Sequence, residues 1–250
     1  MRVLYLHQYF NTPAMSGSTR SYEMARRLVA YGHHVDLVTS QRAIQGSTAR
    51  GWMETEESGI HVHWLPVPYS NAMSYQDRIK AFFKFAIGVV RKAASLEADV
   101  VFATSTPLTI ALPGIYASRR QRIPLVFEVR DLWPELPIAV GALRNPALKW
   151  AAQGLEWLAY HASAHIVALS SGMAAGVMRR GIPAKRITVI PNSSDVALFD
   201  VPPERGNAIR ERLGLTPEQP LIVYTGTFGL INGVGYLVCL LYTSDAADEE

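Results

Sequence analysis

The chain has 250 residues, 49% of them hydrophobic and 18% charged, and a formal charge of +3. That is enough chain to bury a sizeable core in one or two domains, and its composition is that of an ordinary globular α/β protein with no low-complexity block. The single cysteine, Cys239, excludes an internal disulfide and fits a reducing, cytoplasmic setting. No run approaches the roughly 18 apolar residues that a membrane span needs, and Met1 leads directly into an apolar strand rather than a leader peptide.

In chain order, short apolar runs alternate with longer helical patterns, the signature of βαβ units and a parallel sheet. Strands are predicted over Val3–His7, His34–Thr39, Ile60–Pro66, Asp99–Thr104, Leu125–Val129, His165–Leu169 and Ile187–Ile190. Their Val, Ile and Leu content without alternation is that of strands buried on both faces. Helices are predicted over Ser18–Tyr31, Gln76–Leu96, Leu108–Arg120, Pro146–His161 and Ser171–Arg180. The polar stretch Arg42–Ser58 reads as a mobile surface loop.

After "VIPNSSDVALF", the proline-containing "DVPPERGN" reads as a connector and Arg205–Leu213 as a short helix. A new apolar strand from Leu221, a glycine turn and a helix start then resemble the opening of a second Rossmann-like unit. The expected organisation is a first domain over 1–195, a linker over 196–215 and the start of a second domain over 216–238. The last twelve residues, "CLLYTSDAADEE", break the preceding pattern and are expected to be non-native, with a short native acidic terminus as the alternative. They hold four acids and no base, so residues 1–238 carry +7. That basic balance suits an anionic substrate or membrane surface. No aromatic-basic groove or known nucleic-acid motif appears, so no nucleic-acid partner is expected.

Three strand ends carry candidate chemistry. After the first strand, Gly17 precedes a helix opening with Ser18 and Thr19, where backbone N–H groups can face a phosphate or oxyanion. A loop with an ordinary Ser/Thr N-cap explains the same residues, and the pattern is not the GxGxxG of dinucleotide enzymes. "EVRDLWPE" (Glu128–Glu135) sets four charges at the end of a central strand, where ligands bind in open α/β sheets. There Asp131 or Glu135 can accept a proton or hold sugar hydroxyls, Arg130 can neutralise a phosphate, and Trp133 with Pro134 offers a rigid wall; a salt-bridged turn is the alternative. "ATSTP" (Ala103–Pro107) places Thr104 and Ser105 either against substrate or as N-capping hydroxyls. The histidines show no ligand spacing joined to a carboxylate, so no metal site is expected.

In the helix Gln76–Leu96, residues Ile79, Phe82, Phe83, Ala86, Val90, Ala93 and Ala94 form an expected core stripe. Phe85 and Val89 then fall off it, beside Lys80, Lys84, Arg91 and Lys92. That face reads either as a site for an anionic membrane surface or as a solvated basic face.

Together "RVLYLHQYF", "GSTRSYEMARRLVAYGHHVDLVT", "EVRDLWPELP", "VIPNSSDVALF" and "YTGTFGLINGVGYLV" resemble glycosyltransferase family 4, retaining enzymes of the GT-B fold. They look most like its bacterial cell-surface polysaccharide members, similar to the fucosamine-transferase-like branch. The resemblance implies two Rossmann-like lobes, the first binding an acceptor such as a lipid-linked saccharide and the second a UDP- or GDP-sugar donor, with no cofactor. Carried over by position, Gly17 and Ser18 lie in the loop facing the donor, Gly226, Thr227 and Gly229 begin the donor-side turn, and the catalytic region falls on Arg130 and Asp131. Glu135, Trp133, Thr104 and Ser105 are then acceptor-side. Many relatives carry a histidine where this chain has Arg130–Asp131. The Arg/Lys pair and Glu that relatives place on the donor diphosphate have no match here, so little transfer is expected from the chain alone. A nucleotide-sugar 2-epimerase-like enzyme and a non-catalytic glycan- or lipid-binding lobe are the competing readings.

Overall fold

Strand formation follows the apolar runs closely. The computed structural model describes residues 1–41, 51–69, 73–141, 143–194, 196–216, 218–226 and 233–245. The chain divides into two compact units, Met1–Asn192 and Ser193–Glu250. In the first, the strands are β1 (Arg2–Leu6), β2 (His34–Gln41), β3 (Met53–Glu57), β4 (Ile60–Pro66), β5 (Val100–Thr104), β6 (Leu125–Val129), β7 (His165–Ala168) and β8 (Ile187–Val189). They form one sheet in the order β3-β4-β2-β1-β5-β6-β7-β8. Every pairing is parallel except β3 with β4.

Helices α1 (Arg20–Ala30), α2 (Tyr75–Ser95), α3 (Ala111–Gln121), α4 (Glu135–Ala139), α5 (Pro146–Ala162) and α6 (Ser171–Arg179) connect the strands. Leu108–Ile110, a 3-10 turn, precedes α3. Successive residues of β1 feed opposite faces, as a pleat requires. Val3 and Tyr5 join Ala25 of α1 in one core, while Leu4 and Leu6 join residues of α2, α3 and α5 in the other. This is the mostly parallel, doubly covered Rossmann-like sheet expected. Strand order reverses at β1, so the carboxyl ends of β1 and β5 border the crevice where such sheets bind ligands.

Three expectations are corrected. Residues 53–57 are strand rather than loop, because Ser58 and Gly59, at φ 52° and 78°, make a tight reversal that returns the chain onto β4. Residues 42–50 of that stretch lie outside the described residues.

The buried face of α2 is also rotated from the expected one. Ala81, Phe85, Ala86, Val89 and Ala93 are buried, whereas Phe83 is 44% exposed. Gly88 accounts for the turn of the helix: a Cβ there would lie 2.6 Å from Leu65 Cδ2 on β4. The missing side chain lets α2 settle on its 81/85/88/89 side.

In the second unit, Leu221–Thr225 is not a strand. A strand needs a neighbour for its backbone hydrogen bonds. The described residues of that unit supply only the helices α7 (Val196–Phe199), α8 (Pro203–Arg212) and α9 (Val234–Asp245). The last runs through Cys239 without a break. No helix among the described residues is long and apolar enough to cross a membrane.

Candidate functional site

At the carboxyl ends of β1, β5 and β6 the chain builds one connected polar cluster. Glu128, within β6, is fully buried and accepts from Arg20 through Nε (3.0 Å) and Nη2 (2.8 Å) and from Thr104 Oγ1 (3.1 Å). Arg20, at the start of α1, also donates to the carbonyls of Ile190 (2.9 Å) and Pro191 (2.8 Å), just after β8. One guanidinium therefore fastens α1 to β6 and to the end of the sheet. Burial first, and then the Glu128 charge, push the neighbouring Tyr5 hydroxyl well above its ordinary range, so it stays a neutral phenol.

Arg130, one residue past β6, is fixed at both ends. Its backbone N–H donates to Ser105 Oγ (2.9 Å), Nη2 donates to Ser18 Oγ (3.1 Å), and Nη1 lies 3.3 Å from His7 Nε2. Because the guanidinium only donates, His7 accepts at Nε2; its proton then sits on Nδ1, 2.8 Å from Ser21 Oγ. No carboxylate pairs with Arg130 among the described residues, since its side-chain partners are an imidazole and a hydroxyl. Its positive charge is therefore held in place without being neutralised.

Asp131 is half-buried, and Thr106 Oγ1 donates to its Oδ2 at 2.9 Å. Thr106 has φ +84°, a costly conformation for a β-branched residue, of order 1–3 kcal/mol. The surrounding loops hold that strained residue against the carboxylate. Gly17, at φ +135°, is required by its surroundings as well: a Cβ would lie 2.6 Å from Asn11 Nδ2, and that amide in turn donates to the carbonyls of Tyr9 and Ser18. The Gly17–Ser18 turn is thereby set against Arg130.

The sequence-predicted residues thus separate into groups. Arg130, Asp131, Ser105, Ser18 and Gly17 share the crevice. Thr104 is fully buried and bonded to Glu128. Glu135 turns away toward α6, 3.7 Å from Arg179 Nη2. Trp133 walls an apolar cavity of about 130 Å³ beside the polar cluster. Gly226 lies in the second unit, and Thr227 and Gly229 lie outside the described residues.

His7, Arg20 and Thr106 had no individual role in the sequence, and Glu128 entered only as one of four charges at the end of its strand. Glu128 offered the one usable signal, a carboxylate inside the apolar run "LVFEV", which demands a buried counter-charge. Among the described residues, no group of three or more His, Cys, Asp or Glu is arranged to hold a metal.

A doubly covered, mostly parallel sheet with a basic, hydroxyl-containing polar cluster at the carboxyl ends of its central strands defines a Rossmann-like lobe. The sequence matches the glycosyl transferase 4-like domain over residues 17–193, more than half its length, and the chain belongs to that family. No curated protein matches it. Among solved structures it is similar to sucrose-phosphate synthase of Thermosynechococcus elongatus, at 15% identity and TM-score 0.68, over 96% of this chain and 59% of that one. It is also similar to Anabaena HepE in complex with UDP and glucose, at 18% identity and TM-score 0.52, over 86% and 50% of the two chains. An E. coli trehalose-6-phosphate structure bound with UDP-2-fluoro glucose matches at 10% identity and TM-score 0.58, over 86% and 55%. At these identities the likeness shows the GT-B lobe fold alone, and the chain spans between half and three-fifths of those structures' lengths.

Proposed function

We propose that the chain is the acceptor-side lobe of a retaining glycosyltransferase. In this reading it serves transfer of a sugar from a UDP- or GDP-sugar to a lipid-linked or saccharide acceptor in envelope polysaccharide synthesis. The observation that carries the reading is Arg130, a cation with no carboxylate partner among the described residues, which reaches from the end of β6 to His7 after β1 and to Ser18. Negative charge develops on the departing nucleotide diphosphate as the bond from the sugar's anomeric carbon breaks. A preorganised guanidinium stabilises that charge without reorganising. Asp131, fixed by Thr106, accepts a hydrogen bond from the acceptor hydroxyl and orients its oxygen toward the anomeric carbon. In a retaining transfer the hydroxyl proton passes to the leaving diphosphate oxygen on the same face of the sugar. The Gly17–Ser18 turn supports the donor side of the reaction, and Ser105 and Trp133 the acceptor side.

The family match over residues 17–193 supports the class of reaction. The exposed basic residues Lys80, Lys84 and Arg91 of α2 support peripheral docking on the anionic inner face of a membrane. Liposome pelleting that is unchanged in a Lys80→Glu/Lys84→Glu variant would sink the docking reading.

The reaction is tested by sugar transfer from a panel of UDP- and GDP-sugars to extracted lipid-linked acceptors. It is measured for this chain and for a protein in which a second lobe continues it. The chain alone is expected to give near-background transfer, and robust turnover by it would overturn the acceptor-lobe assignment. In the longer protein, Arg130→Met is expected to lower kcat by about 100-fold or more. Unchanged kcat would remove Arg130 from the chemistry.

A further inference from the structure

We propose that the apolar cavity between α2, the 3-10 turn after β5 and α5 receives the hydrocarbon chain of the acceptor lipid, leaving its polar head at Arg130 and Asp131. The nature of the head group rests on the glycosyl-transfer reading, whereas occupancy of the cavity by a chain can be tested without it.

Three observations carry the inference. The first is the wall: Phe82, Leu108, Trp133, Leu143, Ala152 and Leu155 line the cavity, Thr109 is its one polar lining residue, and the volume is about 130 Å³. An apolar cavity of about 150 Å³ stays dry and accepts a benzene-sized guest, so this one suits a short hydrocarbon segment and offers nothing to a sugar. The second is position. Trp133 and Pro107 form part of the wall, and they belong to the same two strand-end loops that carry Asp131 and Ser105. One wall of the cavity is therefore built by the loops that carry the polar cluster.

The third is the rim. Phe83 and Leu148 both line the cavity and are 44% and 48% exposed, which places its mouth between α2 and α5. Ile87 lies one turn beyond Phe83, Trp150 lies close to Leu148 on α5, and both stand out in solvent. The exposed Lys80 and Lys84 flank Phe83 on α2. Apolar residues around a hole with lysines beside them complement a hydrocarbon chain carrying a phosphate.

The probe is farnesyl phosphate, kept below its micellar concentration and titrated calorimetrically into the 250-residue chain. Binding in the micromolar range is expected, with inorganic phosphate failing to displace it. Ala152→Phe, which fills the cavity, is expected to weaken binding at least tenfold. Phe83→Asp, at the exposed mouth where folding is not at stake, is expected to weaken it at least fivefold. Binding that is unchanged by Phe83→Asp, or matched by competing inorganic phosphate, overturns the proposal. So does equal competition from dihexanoylphosphatidylglycerol kept below its micellar concentration, which would make a phospholipid chain the occupant. Self-association in sedimentation that Ala152→Phe abolishes would make a second copy the occupant and overturn it too. Cavity-dependent binding without sugar transfer by the longer protein would refute the reaction and leave the cavity assignment standing. Transfer to water-soluble saccharides with no farnesyl phosphate binding would do the reverse.

Discussion

Replacing Arg20 with methionine should be the most damaging single change to the fold of the first unit. The side chains of Arg20 and Glu128 are 9% and 0% exposed, and the guanidinium makes four hydrogen bonds, two to Glu128 and two to the carbonyls after β8. Methionine fills much of the volume but leaves a buried carboxylate whose remaining side-chain hydrogen bond among the described residues comes from Thr104. Breaking a buried pair from one side costs about 3–5 kcal/mol. The exposed Arg27–Glu23 pair on α1, by contrast, is worth about 0.3–0.5 kcal/mol. Adding Glu128→Gln to Arg20→Met removes the stranded charge, so the double variant should be more stable than Arg20→Met alone by at least about 1 kcal/mol. Urea denaturation followed by circular dichroism, with midpoints compared at constant slope, measures both. If Arg20→Met costs less than about 1 kcal/mol, or the two changes simply add, the buried-charge argument is wrong.

Two further outcomes follow from the same geometry. Gly17→Ala should destabilise by about 1–3 kcal/mol, because alanine strains at φ +135° and its Cβ meets Asn11. An Asn11→Ala second change should recover only part of the lost melting temperature, since the backbone strain stays. Burial pushes the Asp36 carboxyl up, but the hydrogen bond from His63 and the charges of His34 and His63 outweigh it and leave it below its ordinary 3.8. A lowered folded value contributes stability that is complete above pH 3.8 and lost as pH falls through the lowered value. Asp36→Asn should therefore flatten the acid limb of urea midpoint against pH, and an unaltered limb would count against the His63–Asp36 contact at 3.0 Å.

The parts of the fold that were legible in sequence are those where burial acts on both faces of a segment. β4 and β6 fall on their predicted bounds because Ile60, Val62 and Trp64 in one and Leu125, Phe127 and Val129 in the other mark buried runs between polar stretches. β3 was hidden for the converse reason: "METEE" lies at the sheet margin and buries little, so its strand character comes from Ser58–Gly59 and from pairing with β4. The face of α2 was misread because Gly88 contributes nothing to a hydrophobic pattern, yet it decides which side approaches Leu65. At the site, charges crowded at a strand end pointed to Arg130 and Asp131. What holds them was not readable, since Ser18 and His7 lie 112 and 123 residues from Arg130. Local sequence carries no trace of such pairings.

The margin strand β3 has a consequence for the molecule in a crowded cell. An open sheet presents unpaired backbone groups at its outermost strands, and these recruit strands from other chains. Here one border carries Glu54, Glu56 and Glu57, and the other, β8, is three residues long. Like charges repel an incoming copy at the first border, and the second is too short to template one. The acidic composition that disguised this strand in the sequence thus works against pairing with a second copy at that border.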